Sequence, residues 1–309
     1  MKVFLVVGEA SGDRLGASLM RGIKKLNKKA KFRGIAGPEM EQNGIQSLFA
    51  MSELSVMGIT EILSKYFKLR RRLFQTVEAV LEYKPDILIT IDSPEFSFRV
   101  AKKVRAINSS IRTVHYVAPT VWAWRPKRAK KMAYFIDHVL ALFPFEPSYM
   151  KAEGMECDFV GHPIASMKPI KPEKITSFQK KFKIDPLQDS LVILPGSRLS
   201  EVQRLLPIFC NVLRGSEFSN FQLIFPTLPH LKDYISSYII DLPNKSCVIT
   251  GQDLTAEEAA EQRFIAFSSA KVALAASGTV SLELAAVGTP MVIAYDMSRL
   301  SRWVINSLI

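Results

Sequence analysis

The stretch Lys2-Val-Phe-Leu-Val-Val-Gly-Glu-Ala-Ser-Gly-Asp13 indicates a strand, a short loop and the start of a helix, and this pattern recurs along the chain. The apolar run Val3–Val7 predicts a buried strand, because five residues are too few for the hydrophobic segment of a secretory signal. Small residues follow, and Asp13–Leu26 then carries apolar residues at i, i+4 and i+8, which predicts a helix. A strand that leads through a short loop into a helix is typical of a parallel α/β sheet.

The same alternation of strand and helix patterns continues to residue 294. It is interrupted by the Pro- and Lys-rich stretch Met167–Pro172, which predicts a linker between two domains. We therefore predict an α/β protein with two Rossmann-like parallel-sheet domains, residues 1–166 and residues 167–309. A largely helical stretch is predicted at Met51–Phe74, and further helices are predicted at Thr76–Glu82, Phe96–Ile107, Glu201–Arg214, Leu231–Ile239, Ala256–Ser268 and Thr279–Val287. The further strands are predicted at Phe32–Ala36, Asp86–Ile91, Arg112–Val117, Val139–Phe143, Asp158–Val160, Leu191–Leu194, Phe221–Pro226, Cys247–Thr250, Val272–Ala275 and Met291–Ala294.

The composition excludes several classes of protein. The 309 residues are 48% hydrophobic and 23% charged, which is ordinary for a globular protein and excludes a disordered or fibrous one. Three scattered cysteines form neither a disulfide framework nor a zinc-binding pattern, which fits a reducing compartment. No run of about 18 apolar residues is present, so no transmembrane helix is predicted. We expect the protein in the cytoplasm or on the cytosolic face of a membrane.

The positive charge is concentrated in the first domain. The whole chain has a formal net charge of +12, and residues 1–165 hold 26 of its 41 Lys and Arg residues but only 16 of its 29 Asp and Glu residues. Such a field attracts nucleic acid, phosphorylated substrates or anionic lipid, and composition does not choose among them.

Ligands of open α/β sheets bind at the carboxyl ends of the strands, so the loops there are the candidate sites. The loop Gly8–Asp13 lacks the glycine pattern of a dinucleotide site, and it suits either a hydroxyl-bearing ligand or an ordinary turn with Asp13 as helix cap. Asp92 follows another strand, where it is either a general base or part of a turn before Pro94. Trp122 and Arg125 could stack a sugar or a base, although paired Trp residues are more often packing anchors.

Two loops of the second domain resemble anion sites. Arg198 ends the loop Pro195–Arg198 before a helix, where it could hold a diphosphate or face solvent. Ser277 and Thr279 open another helix, and Glu283 lies one turn further, where it could accept hydrogen bonds from ribose hydroxyls or simply be solvated.

The stretch Val56–Phe74 carries an apolar stripe flanked by basic residues. This pattern predicts either an interfacial helix on a membrane or an internal helix packed on the sheet.

Ten short motifs, spread in order over essentially the whole chain, resemble the lipid-A-disaccharide synthase family of bacterial glycosyltransferases. They are Gly8-Glu-Ala-Ser-Gly-Asp13, Ala36-Gly-Pro38, Val56-Met-Gly58, Ile91-Asp92, His115-Tyr-Val117, Val121-Trp-Ala-Trp-Arg125, Pro144-Phe-Glu146, Val160-Gly-His162, Leu194-Pro-Gly-Ser-Arg198 and Ala276-Ser-Gly-Thr279 through Glu283.

The resemblance implies a GT-B-like fold whose two domains face a cleft, the first facing acceptor and membrane and the second binding UDP. It implies transfer of 2,3-diacylglucosamine from its UDP derivative to 2,3-diacylglucosamine 1-phosphate, giving a β-1,6-linked disaccharide phosphate and UDP. The reaction would be inverting, without a metal or other cofactor, on the inner face of the bacterial inner membrane. Anionic membrane and acyl-glucosamine substrates are the implied partners, nucleic acid is not, and the oligomeric state stays open.

The matching positions carry the implied roles. Asp92 is the expected general base, and Glu9 orients the acceptor or acts electrostatically; their roles could be exchanged. The remaining implied residues bind the acceptor (Ser11, Trp122 and Arg125), UDP (Arg198, Ser277, Gly278, Thr279 and Glu283) and the membrane (Ile62, Leu63 and Phe67).

Three alternatives compete with this interpretation. A UDP-sugar 2-epimerase shares the fold but needs no lipid surface, and a basic nucleic-acid-binding protein is suggested only by the net charge, since no nucleic-acid motif is present. An inactive, truncated UDP-binding homologue is the third, because the family pattern runs on past Ile309 into an Asn-bearing segment and terminal helices. The apolar stripe in Arg299–Ile309 favours this view, and we expect a chain ending there to bind UDP but to transfer little or nothing.

Overall fold

The computed structural model describes residues 1–54, 65–123, 125–166 and 169–296. The chain divides into two compact units, Met1–Pro163 and Ile164–Ile309. Each unit contains a parallel sheet with helices on both faces, as the alternating sequence pattern predicts.

In the described part of the first unit the sheet has six strands, in the order β2-β1-β3-β4-β5-β6. The chain reverses its direction of travel across the sheet between β1 and β3, because β2 lies on one side of β1 and β3 on the other. The elements are β1 (Lys2–Val7), α1 (Ala10–Leu26), β2 (Lys31–Ile35), α2 (Pro38–Gln42), α3 (Tyr66–Tyr83), β3 (Ile87–Ile91), α4 (Pro94–Ile107), β4 (Arg112–Tyr116), α5 (Lys127–Met132), β5 (His138–Ala141), α6 (Glu146–Lys151) and β6 (Glu156–Phe159).

Strand β1 is central to the core of the first unit. Residues Val3–Val7 are fully buried, and successive side chains point to opposite faces of the sheet. The odd-numbered residues pack with Leu15 and Met20 of α1, and the even-numbered ones with Val77 and Val80 of α3. A continuous apolar run is therefore what a strand covered by helices on both sides requires.

In the described part of the second unit the sheet has five strands, in the order β11-β10-β7-β8-β9. Here the reversal lies between β7 and β10, which are neighbours in the sheet. The elements are α7 (Pro172–Phe182), β7 (Ser190–Leu194), α8 (Leu199–Leu213), β8 (Gln222–Pro226), α9 (Lys232–Ile239), β9 (Ser246–Ile249), α10 (Ala256–Ser268), β10 (Val272–Ala276), α11 (Val280–Ala286) and β11 (Met291–Ala294).

The core of the second unit repeats the arrangement around β7. All five residues of this strand are buried. Ile193 belongs to the cluster with Leu205 and Phe209 of α8, whereas Val192 belongs to the one with Phe267 of α10. Both cores thus place the first strand of each unit between two neighbouring strands of its sheet, with its carboxyl end at the point where the strand order reverses.

The sequence-based elements differ from the structure in several places. Helix α1 begins at Ala10, three residues earlier than predicted, and Thr76–Glu82 continues helix α3 instead of forming a separate one. The predicted helix Met51–Phe74 is replaced at its start by a 3-10 turn, Met51–Glu53, while residues 55–64 lie outside the described part. Short helices α2, α5, α6 and α7 were not predicted, because most span too few residues to show a period of 3.6. The stripe Arg299–Ile309 is also outside the described residues.

Candidate functional site

The loops after β1 and β3 lie side by side at the reversal point of the first sheet. Val7 pairs with Ile91 in the sheet register, so Gly8 and Asp92 leave adjacent strands at the same level. A reversal point of this kind opens a crevice at the carboxyl ends of the strands, where ligands of doubly wound folds bind. The topology therefore brings together the Gly8–Asp13 loop and Asp92, which are far apart in the sequence.

The backbone at Asp92 is held in an uncommon conformation. Asp92 and the next residue, Ser93, have φ values of 53° and 45°, in the left-handed region. The Asp92 N–H donates to the Tyr116 carbonyl at 3.0 Å, and the Ser97 hydroxyl donates to the Asp92 carbonyl at 2.8 Å. Backbone strain of this size persists only where neighbours hold it, and it is concentrated at functional sites.

Gly8 is the neighbour that leaves room for this loop. A Cβ added at Gly8 would lie 2.6 Å from the Ser93 hydroxyl oxygen and 2.9 Å from the Ser93 Cβ. Real Cβ atoms do not approach other atoms so closely. The absence of a side chain at Gly8 thus permits the position of Ser93, and with it that of Asp92.

The Asp92 carboxylate accepts two hydrogen bonds. One oxygen accepts from the Ser93 N–H at 2.8 Å, and the other from the Ser11 hydroxyl at 3.2 Å. Helix α4 begins after Ser93 without a side-chain cap, so the Asp92 carboxylate does not cap this helix. The structure therefore places two predicted site residues, Ser11 and Asp92, in contact.

Glu9 and Asp13 occupy the same loop but differ in environment. Glu9 is the half-buried residue that precedes α1, with extended backbone. Asp13 is 3% exposed and accepts N–H bonds from Gly37, Glu39 and Met40 at 2.9–3.1 Å. Burial raises the pKa of Asp13 above its ordinary value, more than these bonds lower it. Asp13 therefore caps α2, and the alternative in which it caps its own helix is wrong.

The predicted acceptor residues Trp122 and Arg125 lie on the segment that follows β4. Trp122 is half-buried, with its ring edge-on to Phe145 at 4.9 Å between centroids, so it is anchored by aromatic packing. Arg125 is exposed and has a φ of 55°, and its Nη1 lies 3.4 Å from a carboxylate oxygen of Glu95.

The second unit repeats the geometry of adjacent loops at a reversal point. Leu194 pairs with Ala275, so the loops that begin at Pro195 and Ser277 leave neighbouring strands at nearly the same level. These loops carry the predicted UDP-binding residues, namely Arg198, Ser277, Gly278, Thr279 and Glu283.

The Arg198 side chain is held by the carboxylate of Glu201, which is not among the predicted site residues. Its Nη1 donates to Glu201 Oε1 at 2.9 Å, while Glu201 Oε2 accepts from the N–H groups of Ser197 and Arg198 at 3.2 and 3.3 Å. Glu201 thereby holds the loop and its guanidinium together. The i, i+3 spacing of Arg and Glu at a helix start is the signal that could have indicated it.

Glu283 is likewise held by a residue that the sequence reading missed. It is 7% exposed, and its two carboxylate oxygens accept from Arg263 Nε and Nη2 at 3.0 and 3.1 Å. The solvated alternative for Glu283 is therefore wrong. Gly278, in the loop before α11, has open space where a side chain would be, with no heavy atom within 4 Å of a built Cβ.

The predicted membrane residues divide between described and undescribed parts of the chain. Ile62 and Leu63 lie outside the described residues, whereas Phe67, in the first turn of α3, is 80% exposed. Further along α3, Leu73 and Val77 are buried against the sheet. Helix α3 therefore combines an exposed aromatic start with an internal face. Among the described residues, none of the helices has the length and apolarity needed to cross a membrane, and no group of three or more His, Cys, Asp or Glu residues could hold a metal ion.

Comparison with known proteins identifies the family. The family model described as lipid-A-disaccharide synthetase matches residues 3–309. The chain belongs to this family. A lipid-A-disaccharide synthase of Ruegeria pomeroyi is 48% identical over 311 residues, which cover 100% of this chain and 77% of the relative. One of Rhodospirillum centenum is 41% identical, covering 97% of this chain and 73% of the relative.

Solved structures agree on the fold. The UDP-GlcNAc 2-epimerase of Neisseria meningitidis, bound to UDP-GlcNAc, matches with a TM-score of 0.64 and 15% identity, covering 99% of this chain and 85% of that one. The glycotransferase of kitacinnamycin matches with a TM-score of 0.60 and 14% identity, covering 96% and 81%. At such identities the likeness shows the GT-B-type fold alone. Because the family match covers nearly the whole chain, the protein is a hexosyltransferase of lipid A biosynthesis, and the epimerase alternative is not favoured.

Proposed function

We propose that the protein transfers 2,3-diacylglucosamine from its UDP derivative to 2,3-diacylglucosamine 1-phosphate, which forms the β-1,6-linked disaccharide 1-phosphate and UDP. The observation that carries this proposal is the Ser11–Asp92 contact at the reversal point of the first sheet, in a chain that belongs to the synthase family. The proposal assigns the acceptor to residues 1–166 and the nucleotide to residues 167–309.

In the proposed reaction, Asp92 is the general base. Its carboxylate takes the proton of the acceptor hydroxyl as that oxygen attacks the anomeric carbon of the donor. The bond from this carbon to the diphosphate breaks, the electron pair leaves with UDP, and a single displacement inverts the configuration. The fixed backbone of Asp92 supports this role, because a base must be held within hydrogen-bond reach of the proton that it abstracts. Glu9, on the adjoining loop, orients the acceptor.

The leaving diphosphate develops charge that must be stabilised. Fixed hydrogen-bond donors stabilise developing charge without reorganisation. We assign the stabilisation of the diphosphate to the side chains of Arg198, Ser277 and Thr279 and to the backbone at Gly278. Glu201 supports the assignment by holding the Arg198 guanidinium at the loop. Glu283, oriented by Arg263, accepts from the ribose hydroxyls. The reaction proposed here needs no metal ion.

We further propose that the protein works on an anionic membrane surface through the start of α3 and the residues before it. The exposed Phe67 and the neighbouring basic residues Lys68, Arg70 and Arg71 support this placement. Phe67→Ser should release the protein from vesicles that contain phosphatidylglycerol, while Leu26→Ser, which removes another exposed side chain, should not. Equal vesicle binding by the Phe67→Ser variant and the native chain would contradict the placement.

The reaction is tested by incubating the chain with both acyl-glucosamine substrates in mixed micelles. Mass spectrometry should detect the disaccharide 1-phosphate, even when turnover is slow, together with an equal amount of UDP. A parallel incubation with UDP-GlcNAc separates the epimerase alternative: formation of the 2-epimer there, with no disaccharide from the acyl-glucosamine substrates, would contradict the proposal.

A further inference from the structure

A groove of about 900 Å³ lies on the first unit between α4 and the segment 125–135. Pro94 and Glu95, which follow Asp92 by two and three residues in the chain, are among its lining residues. Phe98, Met132 and Phe135 form an apolar lining. Of its lining residues, only Arg125 is among the predicted site residues.

The charged residues that line this groove are predominantly cationic. Six cationic residues line it, and Glu95 is the acidic residue among its lining residues. Glu95 is engaged by Arg125 at 3.4 Å and by Arg128 at 2.5 Å. The cationic residues are Arg99, Lys102, Arg125, Lys127, Arg128 and Lys131.

Like charges gathered in this way destabilise the folded state unless an anion neutralises them. Arg99 and Lys102 are three residues apart on α4, so they lie on one face, while Lys127 and Lys131 are four apart on the opposite wall. Among the residues that the structure describes, no carboxylate forms an ion pair with these four side chains. Two walls of cations over an apolar lining are complementary to a phosphate attached to an apolar group.

We propose that this groove binds the phosphate monoester of the lipid-bearing acceptor, and that it thereby selects the phosphorylated acyl-sugar over the unphosphorylated one. The inference rests on the proposed function, because it names the acceptor subsite of the same reaction. Its position supports it: the groove opens beside the loop of the base, so a sugar that reaches Asp92 would place its own anionic substituent nearby. A phosphate monoester carries close to two negative charges at neutral pH, which matches the excess of cations.

The test is the equilibrium binding of the full chain to 2,3-diacylglucosamine 1-phosphate and to 2,3-diacylglucosamine, each in micelles of a neutral detergent. The native chain should bind the phosphorylated lipid at least about tenfold more tightly, which is the effect of one hydrogen bond to a charged group. The double variant Lys102→Glu/Lys131→Glu should lose this preference. The matched control Lys28→Glu/Lys29→Glu changes the net charge equally at exposed positions in the turn after α1, and it should keep the preference.

Three outcomes would overturn the inference. The native chain could show no preference for the phosphorylated lipid. Alternatively, the control variant could lose the preference as fully as the groove variant, which would show that the preference comes from the net positive charge of the chain and not from the groove. The groove variant could also keep the preference but lose its binding to phosphatidylglycerol vesicles, which would make the groove a membrane-facing surface. This measurement needs no turnover. If the native chain prefers the phosphorylated lipid but forms no disaccharide, only the proposed function is contradicted. If it forms the disaccharide but shows no preference for the phosphorylated lipid, only the assignment of the groove as the phosphate subsite is contradicted.

Discussion

Replacing Gly8 by Ala should disturb the catalytic loop without touching Asp92 itself. The new Cβ would lie 2.6 and 2.9 Å from two atoms of Ser93, which is about 0.5–0.8 Å inside the 3.4 Å at which ordinary contact begins. Such overpacking costs about 1–3 kcal/mol when the neighbour cannot move. Ser93 can move only by shifting the loop that carries Asp92. A misplacement approaching about 1 Å can lower a rate by about 10²-fold, so we expect turnover to fall by roughly ten- to a hundredfold.

The assay compares turnover, UDP affinity and unfolding free energy for four variants. Gly8→Ala should lower turnover while UDP affinity, which depends on the second unit, stays at the native value. Gly8→Ala/Ser93→Gly should recover most of the activity, since it removes both clashing atoms at a position whose φ of 45° suits glycine. The Ser93 hydroxyl is also buried without a hydrogen-bond partner among the described residues, so its removal by Ser93→Gly alone should be tolerated.

The matched control is Gly22→Ala in α1, where a Cβ meets no atom within 4 Å. This variant should gain up to about 1 kcal/mol of stability, as Ala is the better helix former, and keep native turnover. The reasoning would be refuted if Gly8→Ala kept native turnover, or if its loss of activity were unaffected by the second substitution at Ser93.

Three further predictions concern the second unit and the turn before α3. Arg198→Ala should weaken UDP binding by about 1.5–3 kcal/mol, the range for a hydrogen bond to a charged group, and unchanged affinity in calorimetry would count against its role. Arg263→Ala should destabilise the second unit by about 1–3 kcal/mol, because it leaves the buried Glu283 carboxylate without its bidentate partner; denaturant unfolding measures this loss. Hydrogen bonds from Arg72 lower the pKa of Glu53 to about 2, so this pair stabilises the fold above pH 4.5 and the contribution disappears between pH 4.5 and 2. Glu53→Gln should flatten the acid stability profile in that window, and an unchanged profile would contradict the assignment.

The regular elements followed from the sequence where local patterns decide them. Helix α10 and strand β11 have the predicted bounds, Ala256–Ser268 and Met291–Ala294, because caps, periodicity and apolar runs are all local signals. The parallel sheets also followed, since alternating strands and helices leave few other arrangements.

The contacts that fix the candidate site did not follow from the sequence. Asp13 caps a helix that begins 25 residues later, and Glu283 is oriented by Arg263, 20 residues earlier in the chain. Such pairs depend on how helices pack against the sheet, which periodicity does not encode. The basic groove also depends on packing that the sequence pattern does not show. Its lining residues come from α4 and from the segment around α5, which are separated in the sequence by strand β4. Only Glu201, three residues after Arg198, carried a local signal that could have been used.

The most direct test of the account is the effect of Asp92→Asn on turnover and on UDP affinity, measured on the same preparation. The amide keeps the size of the side chain but cannot take a proton from the acceptor hydroxyl. Turnover should fall by about 10²–10⁴-fold, the contribution of a general base, while the dissociation constant for UDP stays within about twofold of the native value. Near-native turnover of the Asp92→Asn variant would contradict the central claim and would transfer the role of base to Glu9.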